Sequence, residues 1–400
     1  MHTHIQKLYT IANKPVRKII GLMSGTSVDG LDIALCKMEG SGTDTKISIE
    51  HFETVAYNDD FKKEVKSVFS KQEVDFEKLC LLNPWIALQH AAMINDCLKK
   101  WNVNKNDVDL IASHGQTVYH APKSLHQKEK FDNATLQIGD GDHLAVATGI
   151  ITVSDFRQKH IAAGGEGAPL AVYGDYLVFS KKGEDRIMLN MGGIANFTFL
   201  SGDLDASKVF STDTGTGNIL MDAFMQDHFP GKYFDENGSI AASGKISEAL
   251  LAALKDHPFF TQSFPKTTGP ELFNPGYFKE AQKKSGTETI SPADCMATLN
   301  RFSADTIVDA VKKCFSENES MVFYTSGGGM HNPVLMQSIS SQLPGVVIKT
   351  TNELDINPDA KEAVLFAILA NECVSGGGYS FNNETAGIPS VTMGKISFPD

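Results

Sequence analysis

The sequence predicts an α/β protein with two lobes, because one plan of strands and helices occurs twice along the chain. Three strands followed by alternating helices and strands are predicted in the first half, and the same order returns in the second. The closing alternation of strand and helix implies parallel strands covered by helices. Each half also opens with a glycine-containing hairpin, at residues 24–27 and 190–196. If the halves face each other, both hairpins meet in a central cleft.

The elements of the first half follow from apolar runs and their spacing. Strands are predicted near residues 17–24, 31–38, 46–55, 109–113, 134–139 and 150–154, and helices near 59–71 and 85–102. The first lobe is predicted to cover residues 1–155 and the second 156–374. A tail at about 375–400 could pack on the first lobe.

The second half repeats this order. Strands are predicted near 186–190, 195–200 and 208–212, followed by a helix starting near Gly217 and helices near 246–255 and 301–317. The closing elements are a strand at 321–325, a helix at 333–343, a strand at 346–349 and a helix at 359–373. Sequence identity between the two halves is slight, so the repeat consists in the order of strands and helices and not in the residues themselves.

Composition excludes several classes of function. The chain has 400 residues, 42% hydrophobic and 21% charged, as expected of a soluble protein with two domains. A net charge of -12 disfavours nucleic-acid binding, which needs clustered cations. No stretch approaches the roughly 20 apolar residues of a membrane span. The six cysteines contain no C-x-x-C pair, so we expect buried free thiols and a cytoplasmic location.

Three glycine-rich turns suggest a bound nucleotide. They lie at residues 21–32, 212–218 and 326–332, and each adjoins a predicted strand. Backbone N–H groups in such turns can bind an anion without basic side chains. In the first turn, Ser24, Thr26 and Ser27 add hydroxyl donors. One such turn is weak evidence, but three at wide separation predict phosphate binding between the halves.

Asp213 is the predicted catalytic residue. It is predicted at the end of a strand, before a glycine-rich turn and a helix that starts near Gly217. A carboxylate there can act as a general base toward water or a hydroxyl, while turn amides and the helix dipole attract phosphate. The alternative is a structural aspartate that caps the helix or closes an Asx turn.

Asp29 is the predicted metal residue, because a carboxylate beside a triphosphate site usually faces magnesium, often through water. Asp32 is a weaker candidate, since strand alternation could place it elsewhere. The alternative for Asp29 is the common Asp-Gly pair of a hairpin turn.

Further polar residues follow predicted strands and could bind a sugar. His114 and Gln116 come after the strand at 109–112, and Asp155 and Arg157 after that at 150–154. A histidine satisfied by backbone groups and an Asp/Arg pair that braces the loop at 162–170 are the structural alternatives. Glu362 lies in the first turn of a predicted helix, where the dipole favours a carboxylate anyway.

Together these segments resemble the anhydro-N-acetylmuramic acid kinase family, within the sugar kinase, Hsp70 and actin superfamily. The matching stretches occur in the family's order: 21–32, 113–117, 155–157 with 162–170, 190–196, 216–222 and 326–332. Many members have proline where this chain has Thr216, and the segment before Lys18 is not part of the pattern. The resemblance implies a two-lobed, actin-like ATPase fold (ribonuclease H-like) with a central cleft.

The resemblance also implies the reaction. ATP and water open 1,6-anhydro-N-acetylmuramic acid and phosphorylate O6, giving N-acetylmuramic acid 6-phosphate in cell-wall recycling; a homodimer using Mg²⁺ is expected. By the resemblance, Asp213 would be the base that activates water, and Asp155, Arg157 and Glu362 would bind the sugar; the residue pattern adds Asp29 as the metal residue and His114 and Gln116 as sugar contacts. The resemblance matches the ATP-binding loop to Gly25, Thr26, Ser27, Val28, Asp29, Gly30, Leu31 and Asp32, and the other glycine turns are expected to add Gly192, Gly193, Gly215, Gly217, Asn218, Gly327, Gly328, Gly329 and Asn332.

Two other functions fit the same motifs. An ordinary hexose or amino-sugar kinase would use Asp213 to deprotonate the substrate's own hydroxyl. An ATP-driven clamp of the Hsp70 or actin type would use the cleft to control a binding surface, although the sequence shows no appended peptide-binding module.

Overall fold

The computed structural model describes residues 1–314, 321–354, 357–376 and 388–400. The chain forms two compact units, Met1–Phe179 with Asp355–Asp400, and Ser180–Leu354. The predicted boundary after residue 155 therefore falls inside the first unit. The reason is helix packing: α7 (Ala171–Phe179) packs against α14 (Lys361–Ser375), and α14 packs against the sheet of the first unit.

The first unit contains the following elements. Its strands are β1 (Val16–Ser24), β2 (Gly30–Glu39), β3 (Lys46–Ala56), β4 (Leu110–Ala121), β5 (Ala134–Ile138), β6 (Thr152–Ser154) and β12 (Lys395–Ser397). Its helices are α1 (Thr3–Ala12), α2 (Asp59–Lys66), α3 (Phe76–Lys100), α4 (Lys123–His126), α5 (Gly141–Thr148), α6 (Phe156–Ala162), α7 and α14. Of these, α1, α4, α5, α6 and α7 were not among the predicted helices.

The second unit contains five strands and six α-helices within its described residues. The strands are β7 (Asp185–Met191), β8 (Ile194–Leu200), β9 (Phe210–Thr216), β10 (Met321–Ser326) and β11 (Val347–Thr350). The helices are α8 (Ile219–His228), α9 (Ser239–Ser243), α10 (Glu248–Lys255), α11 (Pro275–Ser285), α12 (Pro292–Val311) and α13 (Pro333–Gln342). The predicted helix at 301–317 corresponds to α12, and its residues 315–317 lie outside the described residues.

The two sheets share one topology. In the first unit β3, β2 and β1 form an antiparallel meander, and β4 and β6 continue it in parallel. In the second unit β9, β8 and β7 form the meander, and β10 and β11 continue it in parallel. The strand order and directions thus agree position by position. The duplicated α/β plan predicted from the sequence is confirmed.

Gly21 allows α14 to lie against β1. A Cβ atom at this position would sit 1.9 Å from the carbonyl oxygen of Ala363, well inside van der Waals contact. Only glycine lets the helix backbone approach the strand this closely. This contact brings the first turn of α14, which contains Glu362, into the first unit.

Helix ends explain where two predictions shifted. The long helix predicted from residue 85 begins at Phe76, because Asp75 caps it by accepting a hydrogen bond from the Lys78 amide. Likewise α12 begins at Pro292 after the capping residue Ser291, nine positions before the predicted start.

The C-terminal tail reaches the first sheet, where β12 pairs antiparallel with β6. Residues 377–387 of the predicted tail lie outside the described residues.

All six cysteines are free, and Cys36, Cys97 and Cys295 are buried as expected. Cys80 is exposed, so the burial predicted for it is wrong: this residue lies on the solvent side of α3.

Candidate active site

One residue of the first glycine-rich turn is buried and anchors the turn in the core. Strands β1 and β2 pair up to Ser24 and Leu31, so residues 25–29 form the turn, as predicted. Val28 has φ 54° and is only 2% exposed, which anchors the turn in the core. A β-branched residue rarely adopts this conformation, and such strain is concentrated at functional sites. Thr26 and Ser27 are exposed beside it.

A chain of buried hydrogen bonds supports this turn from below. The Tyr57 hydroxyl donates to Ser24 Oγ at 2.7 Å, and Ser24 Oγ donates to Gln116 Oε1 at 2.5 Å. Gln116 Nε2 then donates to the Gly25 carbonyl oxygen at 3.2 Å. His90 Nε2 lies 2.9 Å from the Tyr57 hydroxyl, and burial lowers the pKa of His90 to about 4, so the ring is neutral. Gln116 thus positions the turn; its contact with a sugar stays a prediction.

Tyr57→Phe tests this support. The change leaves His90 Nε2 without its partner and frees Ser24, so we expect a loss of about 1–3 kcal/mol in the free energy of unfolding. If the turn binds ATP, KM for ATP should rise by a larger factor than kcat falls. Steady-state kinetics would measure both. Tyr9→Phe, on exposed α1, is the control, and equal KM values in all three proteins would contradict the proposed support.

The carboxylates near the turn lie close together. Asp29 is exposed and accepts from Ser27 Oγ at 2.8 Å and from the Gly30 amide at 3.0 Å. Asp32 accepts from Thr54 Oγ1 at 2.6 Å, and burial raises its pKa, with Asp29 and Asp359 adding to the increase. Among the described residues, no group of three His, Cys, Asp or Glu side chains could ligate a metal directly.

His114 and Gln116 lie inside a strand and not after it, because β4 continues to Ala121. Both are buried. Arg157 Nε donates to His114 Nε2 at 2.9 Å and Arg157 Nη1 to the Gly167 carbonyl oxygen at 2.7 Å. Burial and the neighbouring guanidinium hold the pKa of His114 well below its usual value, so His114 is neutral. Arg157 therefore connects β4 to the glycine-rich loop at 162–170.

Asp155 and Glu362 complete the polar residues of the first unit. Asp155 has φ 57° and forms an ion pair with Lys395 of β12, so the bracing Asp/Arg pair considered from the sequence is replaced by an Asp/Lys pair. Glu362 is exposed in the first turn of α14. Desolvation by the surrounding protein raises the pKa of Glu362. The negative charge of Asp32 raises it further, while the positive charge of Arg157 lowers it. Glu362 and Arg157 are thus close enough to interact.

In the second unit, Asp213 lies within β9 and not at its end. Asp213 pairs with Asn196 and Gly215 with Ala195, so Thr214 is an extra residue that forms a β-bulge. The Asp213 amide donates to the Lys266 carbonyl oxygen at 2.9 Å, and the Thr268 amide donates to Asp213 Oδ2 at 2.7 Å. Lys266 thus holds the backbone of Asp213 and Thr268 holds its carboxylate, and α8 has Asn218 as its N-cap. The helix-capping alternative is wrong.

The environment of Asp213 suits a general base. Burial raises its pKa to about 6, and Glu271 adds to this, while the Thr268 amide and Lys266 oppose it. A base with a pKa near the working pH is ionised and still able to hold a proton.

Sequence reasoning missed Lys266 and Thr268, which lie more than fifty residues after Asp213. Lys266 is buried, and burial together with Lys313 lowers its pKa to about 8. The only available signal was the short polar run between Pro265 and Pro270, Lys-Thr-Thr-Gly.

Three glycine turns of the second unit meet one another. The amides of Gly217 and Asn218 donate to the carbonyl oxygens of Gly193 and Gly192, both at 2.8 Å. A Cβ atom at Gly217 would lie 2.2 Å from the Gly192 oxygen.

The loop after β10 joins the same group. Gly327 has φ 82°, and a Cβ atom there would lie 2.6 Å from Asn190 Oδ1. A Cβ atom at Gly328 would lie 3.6 Å from Asn218 Nδ2, and Asn332 caps α13. The structure therefore brings together Gly192, Gly193, Gly217, Asn218, Gly327, Gly328, Gly329 and Asn332, and their binding of ATP stays a prediction. Gly215 lies in the bulge of β9, where a Cβ atom would meet Thr306 and Phe260.

The chain is similar to known proteins over nearly its whole length. A family model described as anhydro-N-acetylmuramic acid kinase matches residues 17–399. A protein of that name from Pseudoalteromonas atlantica is 57% identical over the full length of both chains. The chain belongs to the anhydro-N-acetylmuramic acid kinase family. The family membership predicted from the sequence is confirmed, and with it the predicted phosphotransferase class.

Two further similarities are more distant. The anhydro-N-acetylmuramic acid kinase of Caldanaerobacter subterraneus subsp. tengcongensis is 38% identical and covers 98% of this chain. A solved structure of the activator of 2-hydroxyisocaproyl-CoA dehydratase from Clostridium difficile, with bound ADPNP, covers 90% of this chain and 96% of its own, at 10% identity and a TM-score of 0.41. Among the described residues, no helix has the length and apolar character needed to cross a bilayer.

Proposed function

We propose that this member of the family uses ATP and water to open 1,6-anhydro-N-acetylmuramic acid and phosphorylate its O6, in cell-wall recycling. The observation that carries the proposal is Asp213: its carboxylate has a pKa raised to about 6 and is oriented by the Thr268 amide. A base of this kind suits the activation of water at neutral pH.

The bonds that change fix the role of each group. Water attacks the anomeric carbon and gives its proton to Asp213, and the bond between C1 and O6 breaks. O6 takes the γ-phosphoryl group, which neutralises the charge that develops on it, and ADP leaves. Each event assists the other, because a better leaving oxygen makes C1 easier to attack.

Glycine turns in each unit are proposed to bind the ATP phosphates. In the first unit the turn at 25–29 exposes the side chains of Thr26 and Ser27, and buried Val28 anchors it. In the second, the turns around Gly192 and Gly217 are proposed to supply further contacts, and the amides of Gly217 and Asn218 hold these turns together. Such preorganised donors stabilise charge on a transferring phosphoryl group.

Magnesium is proposed to bind beside Asp29, through water. The fit rests on the carboxylates there: Asp29 and Asp359 raise the pKa of Asp32, and a cation would relieve this mutual repulsion. The ion would supply positive charge to the phosphate oxygens.

The sugar is proposed to bind Arg157 and Glu362, with Asp155, His114 and Gln116 as further predicted contacts. Arg157 and Glu362 interact electrostatically, and Glu362 is exposed for hydrogen bonding.

We also propose a homodimer and a cytoplasmic location. The resemblance implies the first, and the six free cysteines are consistent with the second.

Heavy-oxygen water tests the proposed reaction against the ordinary sugar kinase. In H₂¹⁸O, the anhydro-sugar mechanism puts the label on the anomeric carbon of the phosphorylated product, which mass spectrometry detects. Because the anomeric hydroxyl of a free amino sugar can also exchange with water, the product is measured at early times beside an unlabelled product control. Phosphorylation without label would support the ordinary kinase, and turnover stimulated by unfolded peptide would support the clamp.

Asp29→Ala tests the proposed metal position. Loss of the carboxylate should raise the magnesium concentration needed for half-maximal activity by about tenfold, with a smaller change in KM for the sugar. Asp59→Ala, an exposed aspartate at the start of α2, is the control. Unchanged magnesium dependence would remove Asp29 from this role.

A further inference from the structure

A cavity of about 350 Å³ lies in the second unit, beside β9 and α12. Three lysines line it, Lys255, Lys266 and Lys313, against one aspartate, Asp309. The residues proposed above to bind ATP or the sugar are not among its described lining. The cavity therefore has an excess of positive charge that the proposed reaction does not use.

One of the three lysines forms ion pairs, and among the described residues the other two form none, although the Asp213 carboxylate partly opposes the lowering of the Lys266 pKa. Lys255 forms ion pairs with Asp309 at 2.7 Å and with Asp305 at 3.4 Å. Among the described residues, the hydrogen-bond partners of the other two ammonium groups are neutral: Lys266 Nζ donates to the Phe259 carbonyl oxygen at 2.9 Å and Lys313 Nζ to that of Phe260 at 3.1 Å.

Two unpaired ammonium groups that repel each other at one cavity favour an anion between them. Repulsion from Lys313 contributes to the lowered pKa of Lys266, which places the two charges close together. Each ammonium has three donors and uses one in these hydrogen bonds, and Lys266 Nζ also lies 4.1 Å from the centre of the Phe259 ring. Thr306, also in the lining, donates its hydroxyl to the Ser303 carbonyl oxygen at 3.1 Å, so the two lysines supply the donors.

We propose that this cavity is a second anion site, which binds the phosphoryl group of a small phosphate between Lys266 and Lys313. The volume accommodates inorganic phosphate or a phosphorylated sugar, and the ring of Phe260 and the methyl of Ala310 supply an apolar side for the latter. This site does not depend on the proposed reaction.

Occupation of the site would act on Asp213 through one short segment. The Lys266 carbonyl oxygen accepts from the Asp213 amide, and Thr268 holds the Asp213 carboxylate. An anion that fixes the Lys266 side chain therefore orders residues 266–268, which position the proposed base. Hydrogen exchange of the amides of 266–268 should slow when the anion binds.

Calorimetric titration with inorganic phosphate tests the proposal, in the presence of saturating ADP so that the glycine turns are occupied. One phosphate should bind per chain. In Lys313→Gln the affinity should fall by roughly tenfold or more, because a charge-assisted hydrogen bond is lost. Lys312→Gln, its exposed neighbour at the end of α12, is the matched control and should bind as the wild type does. Ionic strength is kept constant with chloride.

A second variant tests whether the anion enters the cavity. Ala310→Leu fills part of the space without changing charge, and it should weaken binding of glucose 6-phosphate more than that of inorganic phosphate. Circular dichroism and the thermal midpoint establish that each variant is folded. No phosphate binding, equal binding by Lys313→Gln and Lys312→Gln, or undiminished binding of both ligands by folded Ala310→Leu would each overturn the proposal.

Discussion

Asp213→Asn is expected to lower kcat by about 10² to 10⁴, the usual contribution of a positioned general base. The amide keeps the shape of the side chain and can still accept the hydrogen bond from the Thr268 amide, but it cannot take a proton from water. Binding of ATP, measured by calorimetry, should remain near that of the wild type. Rapid single-turnover kinetics would show whether the lost rate belongs to the chemical step.

The control for this change is Asp203→Asn in the same unit. Asp203 is exposed and pairs with Lys208 at the surface, so its loss should change kcat little. A fully active Asp213→Asn enzyme would show that another group activates the water.

The pH dependence of kcat gives an independent measurement of the same residue. Because the pKa of Asp213 is raised to about 6, the carboxylate is ionised above that pH and protonated below it. A base must be ionised to act, so kcat should fall by about tenfold per pH unit below pH 6. The residual activity of Asp213→Asn should lack this acidic limb. If kcat of the wild type fell only below about pH 4, Asp213 would not be desolvated in the working enzyme.

Gly217→Ala is expected to have the second-largest effect, because the added methyl group would push apart two of the turns that are proposed to bind ATP. The new Cβ atom would lie 2.2 Å from the Gly192 carbonyl oxygen, a backbone atom that can move only if the turn moves. The hydrogen bonds from the amides of Gly217 and Asn218 to Gly193 and Gly192 would lengthen with it. We expect a loss of about 1–3 kcal/mol in the free energy of unfolding and a rise of roughly tenfold or more in the Kd for ATP.

Gly193→Ala is the matched comparison in the neighbouring turn. There a Cβ atom would meet the nearest atom, Ile219 Cβ, at 3.7 Å, which is ordinary van der Waals contact. Its effect on the Kd for ATP should therefore be clearly smaller. Equal Kd values for the two variants would mean that the contact between Gly217 and Gly192 does not maintain the nucleotide site. Thermal unfolding and calorimetry measure the two quantities separately.

Local sequence was enough to locate most of the strands and the glycine turns. Glycines at 192, 193, 217 and 327–329 mark turns that lie next to apolar strands, and both signals are contained in a few consecutive residues. The assignment of Asp213 also rested on its neighbours. The predicted ends of two strands were wrong: β4 continues through His114 and Gln116, and β9 continues past Asp213 as a bulge. Strand ends depend on pairing with distant strands, which no local pattern contains.

Long-range packing explains the residues that were missed or reassigned. Gln116 has a polar side chain that suggested a ligand contact, yet it lies beneath the turn because β1 and β4 are neighbours. The division between the units follows α14, which returns to the first sheet after the whole second unit and packs at Gly21. Both contacts join residues that are far apart in the sequence.

The amino-acid sequence by itself determined the family, the duplicated α/β plan and the choice of Asp213, because these depend on contiguous motifs and on periodicities of a few residues. Only the tertiary structure decided that the Thr268 amide holds that carboxylate, that its pKa is raised to about 6 and that Lys266 faces a charged cavity. The physical reason is that desolvation and hydrogen-bond geometry depend on which distant residues surround a group in space.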